Sequence, residues 1–389
     1  PVNQKFSQKR ALMKNSKKLF YSLTRSGIIM LTLFFTINGC SEESGIATDS
    51  LSGEENLTKA NFVAKGGPNL VDITSLHDHD TNEHLFEVSE DEIPSGWTTF
   101  RFNNSSHSDH FYLLYKVPEA AIEAADAAGE PILDHWYNTV TEPFQQEWNP
   151  YIEGDIDFGT FVNNLFGAVL SSAPWFVDAV PMGGPGLTSA GQTSLTTVKL
   201  PAGTYVAECY VKDENQEFHS YNGMLDVIRV TDEASGKKKP RATMEVTVTQ
   251  DGIEHEKSVR PGMHTVAIHF GPQPAAGYGH LLGHNVQLVR FDNGYDQQLL
   301  DELGAWMNWT TEEGFVHRAP EGTTFIGGSM EMTGGNMAYY HVNLKPGSYA
   351  WIAEVPDPAG KDMLKIFSTP FGREVQARPA AFLDRKGHR

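Results

Sequence analysis

The chain has 389 residues, 40% of them hydrophobic, with 36 Gly and 21 Pro. That length suits two or three domains, and so much punctuation favours short strands over coiled coils or helical bundles. A formal net charge of −19, from 30 basic and 49 acidic residues, argues against a nucleic-acid partner held by phosphate neutralisation, and two cysteines are too few for a disulfide scaffold or a multi-Cys zinc module.

The basic residues Lys5, Lys9, Arg10, Lys14, Lys17, Lys18 and Arg25 precede residue 40 with no acid among them; without them the net charge is −26. Ten mostly apolar residues follow, Ile28 to Ile37, too few to span a bilayer but long enough for a signal-peptide core. Ile37-Asn38-Gly39-Cys40 resembles the bacterial lipobox, with Asn38 a less usual filler. The resemblance implies a signal peptide over 1–39 starting at Met13, lipid on Cys40, and a flexible tether over 40–60. The other reading is a short buried helix carrying an ordinary cysteine. Ser41-Glu42-Glu43 resembles the acidic signal that sends some Gram-negative lipoproteins to the outer-membrane surface. The expected location is the bacterial cell envelope, lipid-anchored to the outer membrane.

The remainder contains a duplication. Met182-Gly183-Gly184 and Val198 to Tyr205 correspond to Ile326-Gly327-Gly328 and Val342 to Tyr349, both at an offset of 144. His110 to Leu114 corresponds to His284 to Leu288 at an offset of 174, so the first copy carries a longer excursion. Ala120 to Ala128 is strongly helix-forming, and Thr160 to Leu170 reads as a second helix or a covering loop. Alternating runs at 97–102, 111–115, 205–209 and 225–230 predict strands, repeated in the second copy at 246–249, 265–270, 286–291 and 349–355. The expected fold is all-β, two tandem Greek-key β-sandwich domains. They span 61–232, with a helical insertion over 119–172, and 241–373, with a linker over 233–240 and a polar tail over 374–389.

Cys209 is followed by His219 and Met224, with Gly223 just before the methionine; Asn103-Asn104 is followed by His110. A thiolate, two imidazoles and a weak thioether are the donor set of a blue-copper electron-transfer site. An unpaired cysteine is also, more ordinarily, a small core residue. Residues 95–230 resemble the cupredoxin family on these motifs. The resemblance implies one type 1-like copper held by His110, Cys209, His219 and the axial Met224, serving electron transfer or copper handling, with a redox protein as partner. The tandem arrangement and the long Cys-to-His interval also resemble copper nitrite reductases. Glu208 stands where those enzymes place a second-copper histidine, and Tyr112 to Lys116 offers none, which disfavours nitrite reduction. In the second copy Ala353 replaces the cysteine and no histidine falls between it and Met363, although His284 remains; no blue site is expected there.

His77, His79 and His84, interleaved with Asp78, Asp80 and Glu83, suit a loose divalent-cation site or, as expected here, a solvated acidic loop. His107 competes with His110, which is preferred because the apolar alternation begins directly after it. His135, Trp136 and Trp148 cover a core edge or, if exposed, bind sugar. The alternative to a copper protein is therefore a metal-free lipoprotein that recognises glycan or protein through its loops.

Overall fold

The computed structural model describes residues 68–78, 81–255, 259–272, 283–355, 357 and 362–370. The chain divides into two units, Pro1–Ser52 and Gly53–Arg389, and every described residue lies in the second. The segments read as export signal, tether and polar tail, together with Cys40, His79 and Asp80, lie outside the described residues.

The first copy opens with β1 (Asn69–Asp78) and β2 (Glu83–Val88), an antiparallel hairpin, and β3 (Glu92–Asn104). The long β3 serves two layers. Its second half pairs with β1 in parallel and with β6 (Thr193–Leu200), whereas its first half pairs with β8 (Leu225–Ala234). The second layer continues from β8 through β7 (Gly203–Glu208) to β4 (Leu113–Lys116) and the short β5 (Val180–Pro181). Alternation sets the faces: Val71, Ile73, Phe100 and Phe102 point inward against Leu114, Tyr205 and Ile228.

The second copy repeats these pairings. It comprises β9 (Met244–Thr249), β10 (Gly252–His255), β11 (Gly262–Phe270), β12 (His284–Phe291), β13 (Thr323–Met332), β14 (Met337–Leu344), β15 (Gly347–Ala353) and β16 (Met363–Thr369). β9 pairs with β10 and, in parallel, with β11, as β1 does with β2 and β3. Both sequence offsets recur in the register: Leu113 faces Glu208 where Gln287 faces Ile352, and Lys116 faces Tyr205 where Arg290 faces Tyr349. Even a local device repeats. The Tyr205 hydroxyl donates to the Pro201 carbonyl at 2.6 Å, and the Tyr349 hydroxyl to that of Lys345 at 2.8 Å. The expected tandem β-sandwich class is the one observed. One feature went unforeseen: β6 pairs with β14, Thr196 opposite Tyr340, so one sheet runs through both copies. Strand β8 also continues through Ala234, two residues into the segment read as linker.

The excursion in the first copy is helical as expected. It contains α1 (Glu119–Ala128), α2 (Ile132–Trp136), α3 (Glu142–Ile152) and α4 (Phe158–Ser172); α5 (Gln297–Met307) belongs to the second copy. Gly129 closes α1 in the left-handed region at φ 69°, and the Asp157 side chain caps α4 by accepting from the Thr160 amide. Trp136 and Trp148 are fully buried, so they cover the core and offer no sugar platform.

Candidate metal centre

His110 sits on a loop between β3 and β4 that one side chain fastens. Asn104, buried at the end of β3, donates from Nδ2 to the carbonyls of Ser108 and Thr188, both at 2.7 Å. Its Oδ1 accepts from the Ser75 hydroxyl and the Ser106 amide and hydroxyl. The asparagine preceding the histidine therefore satisfies a tight turn and sets where His110 emerges. His110 exchanges backbone hydrogen bonds with Thr188, and the Asp109 amide donates to the His317 carbonyl of the second copy.

Cys209 follows β7, and the chain returns to it through the loop before β8. The Cys209 amide donates to the Met224 carbonyl at 3.3 Å, the Met224 amide to the His219 carbonyl at 2.8 Å, and the His219 amide to the Val211 carbonyl at 2.8 Å. Gly223, at φ 99°, supplies the turn that L residues resist. Asp213 holds the far end, accepting on Oδ1 from the amides of Asn215 and Glu217.

These two loops bring three donors together. Sγ of Cys209 lies 3.7 Å from Nδ1 of His110 and 4.0 Å from Nδ1 of His219, and the two Nδ1 atoms are 3.1 Å apart. Metal–nitrogen bonds of about 2.0–2.1 Å and a metal–sulfur bond of about 2.3 Å span such edges at angles of roughly 100° to 135°. One ion touching all three therefore lies close to the donor plane, as a trigonal His2Cys site requires. The imidazole pair alone also suits a ring hydrogen bond, so the thiol is the discriminating donor. Met224 is fully buried and joined to both Cys209 and His219 through its backbone.

Burial dominates the electrostatics. It pushes the Cys209 thiol up to about 12 and holds His110 and His219 well below the ordinary imidazole value, reinforced by neighbouring imidazoles. Without a cation the donors are a thiol and two neutral rings, so taking up a metal ion costs one proton, from Cys209. Nε2 of His110 and Nε2 of His219 are buried without a hydrogen-bond partner.

A third imidazole completes the neighbourhood. Ring nitrogens of His84, His110 and His219 lie within 4.8 Å of one another, and burial lowers His84 to about 3. The acidic-loop expectation for this segment is therefore corrected. His77 and His84 face each other in the β1–β2 hairpin, and His84 is 2% exposed. Its amide donates to the Asn222 carbonyl at 3.0 Å, which ties the hairpin to the ligand loop. The His84 ring stacks on His219, centroids 3.8 Å apart and planes 17° from parallel. Stacked rings hold their nitrogen lone pairs in separate, nearly parallel planes and cannot both aim at one ion, whereas His110 is tilted 50° to His219. His84 is thus a cover over the site, and His110 and His219 are its convergent pair. His107 lies beyond the cover, edge-on to His77 at 5.5 Å.

The chain is similar to blue copper proteins of known structure. Auracyanin A from Chloroflexus aurantiacus matches at 21% identity over 42% of this chain and 100% of its own, with a TM-score of 0.23. A blue copper oxidase from Nitrosomonas europaea matches at 11% identity over 78% of this chain and 86% of its own, with a TM-score of 0.21. No protein-family model and no curated protein matches. The chemistry of the site rests on its own side chains.

In the second copy His284 and Met363 are buried, but Ala353 occupies the place of Cys209. Glu354, at the place of Tyr210, instead accepts from the Tyr210 hydroxyl and from Asn285 Nδ2, each at 2.8 Å. The same Tyr210 hydroxyl lies within hydrogen-bond reach of Glu331, so its single proton serves one carboxylate at a time. Burial pushes both carboxyls up, Glu331 to about 6, and the vacated position has become a hydrogen-bonded acid cluster.

Proposed function

We propose that the chain holds one copper ion between His110 Nδ1, Cys209 Sγ and His219 Nδ1, with Met224 as a weak fourth donor, and serves electron transfer or copper handling at the bacterial cell envelope. The triangle of one sulfur and two nitrogen donors with edges of 3.1, 3.7 and 4.0 Å carries this reading. Bound there, copper would alternate between Cu(I) and Cu(II), for which a soft thiolate and borderline imidazoles are a compromise donor set.

The protein's part is to keep the donors in place. Asn104 fixes the His110 loop, the Val211, His219 and Met224 backbone bonds fix the other, and the second copy clamps both. The Lys212 amide donates to the Phe315 carbonyl and the His317 amide to the Lys212 carbonyl, while the Ser108 hydroxyl bonds His317 Nδ1 at 2.8 Å. A donor set that does not rearrange favours rapid one-electron change. Lipid on Cys40 would anchor the protein to the outer membrane; the basic stretch, the apolar Ile28 to Ile37 and the Ile37-Asn38-Gly39-Cys40 motif support that reading.

Titrating the purified protein with copper tests the site. The expected result is one ion per chain with an intense visible thiolate-to-copper absorption that Cys209→Ser abolishes. Absence of that absorption, or its persistence in Cys209→Ser, refutes the reading.

A further inference from the structure

We propose that the stacked rings of His84 and His77 couple the metal centre to the protein surface, so that electrons enter and leave through the face where His77 and His107 emerge. This rests on the copper reading above. His219 is fully buried and its ring presents no edge to solvent. His84 covers it at 3.8 Å and 17°, His77 covers His84 at 4.1 Å and 9°, and His107 meets His77 edge-on at 5.5 Å. Exposure rises along the series from buried His219 and His84 to half-buried His77 and His107. Electronic coupling decays more steeply across a gap than through atoms in van der Waals contact, and this stack fills the space between the site and the surface.

The stack is held rigidly. His77 and His84 are cross-strand partners, Asn82 Oδ1 lies 3.1 Å from His77 Nε2, and Asn82 Nδ2 donates to Asp213 Oδ2 at 2.9 Å, joining the hairpin turn to the ligand loop. Both nitrogens of His84 lack a hydrogen-bond partner, so hydrogen bonding does not explain an imidazole here. The stacking angle keeps the ring out of the coordination plane of His219.

The test oxidises the copper-loaded, reduced protein with a cationic outer-sphere cobalt(III) complex. One electron passes from Cu(I) to Co(III), giving Cu(II) and Co(II), with no bond broken and no proton moved. His84→Leu is expected to keep one copper per chain and the visible absorption while the oxidation rate falls by about an order of magnitude. His77→Leu slows it as well, and His84→Phe, which restores a packed ring, recovers most of the rate. An unchanged rate in a fully loaded His84→Leu protein overturns the proposal. Loss of copper from that variant also overturns it, by making His84 a ligand. A wild-type protein without the absorption refutes the copper reading instead, so the two failures are distinguishable.

Discussion

Asn104 Nδ2 donates to the carbonyl of Thr188, 84 residues away, at 2.7 Å. Together with the bond to Ser108, this contact places the His110 loop against the segment that joins β5 to β6. The asparagine is buried, and its side chain makes five hydrogen bonds.

Asn104→Ala is therefore expected to destabilise the protein by about 2–4 kcal/mol, since several buried groups lose their partners together. Copper affinity should fall with it, because His110 loses its anchor. Urea unfolding and copper competition titrations measure the two effects; unchanged stability contradicts the role assigned to Asn104.

Copper uptake should release one proton per ion. Burial holds the Cys209 thiol up at about 12 and the imidazoles neutral, so the thiol proton is the one displaced. Apparent affinity should then rise about tenfold per pH unit between pH 6 and 8. Competition titrations across that range check the slope, and a flat profile contradicts it.

Glu208 should contribute a loss of stability to the metal-free protein as pH rises from about 5 to about 7, opposite in sign to the gain from the buried neutral imidazoles of His84, His110 and His219. Burial raises Glu208 from 4.5 to about 7, with Glu331 adding repulsion. Below 4.5 the carboxyl is protonated in both folded and unfolded chains. Above it the unfolded chain ionises first, so folding stability declines until the native pKa is passed. Glu208→Gln should remove about 1–2 kcal/mol of this contribution, read as a Tm at pH 8 that rises relative to the Tm at pH 5 when compared with wild type; no such shift contradicts the assignment.

Lys212 is fully buried. Its Nζ donates to the carbonyls of Trp309 at 3.1 Å and Thr311 at 2.6 Å and lies 4.4 Å from the centre of the Trp148 ring. It thereby joins the ligand loop, the helical insertion and the second copy. Lys212→Ala removes both bonds and the packed stem, and unfolding measurements should show a loss of about 3 kcal/mol; a neutral effect contradicts the clamp.

Much of this was legible in the sequence because short-range order encodes it. Offsets of 144 and 174 reappear in the strand register, and the order Cys209, His219, Met224 places its donors around one turn. His84 was hidden because its role depends on how the β1–β2 hairpin lies against Asn222 and Asp213, contacts more than 130 residues apart in sequence. One signal was available: His84 and Phe86 share a face by the period of two, as His77 does with Ile73 and Ser75. Such alternation marks a half-buried strand and not a solvated loop. Pairing of β6 with β14 left no trace, since a central strand and a protected edge read alike.

X-ray absorption at the copper edge of the loaded protein reports which atoms hold the ion among Cys209, His110 and His219. The expected spectrum has one short sulfur neighbour and two imidazole nitrogens, with the sulfur shell lost in Cys209→Ser; a wild-type spectrum containing only nitrogen and oxygen neighbours would overturn the three-donor site.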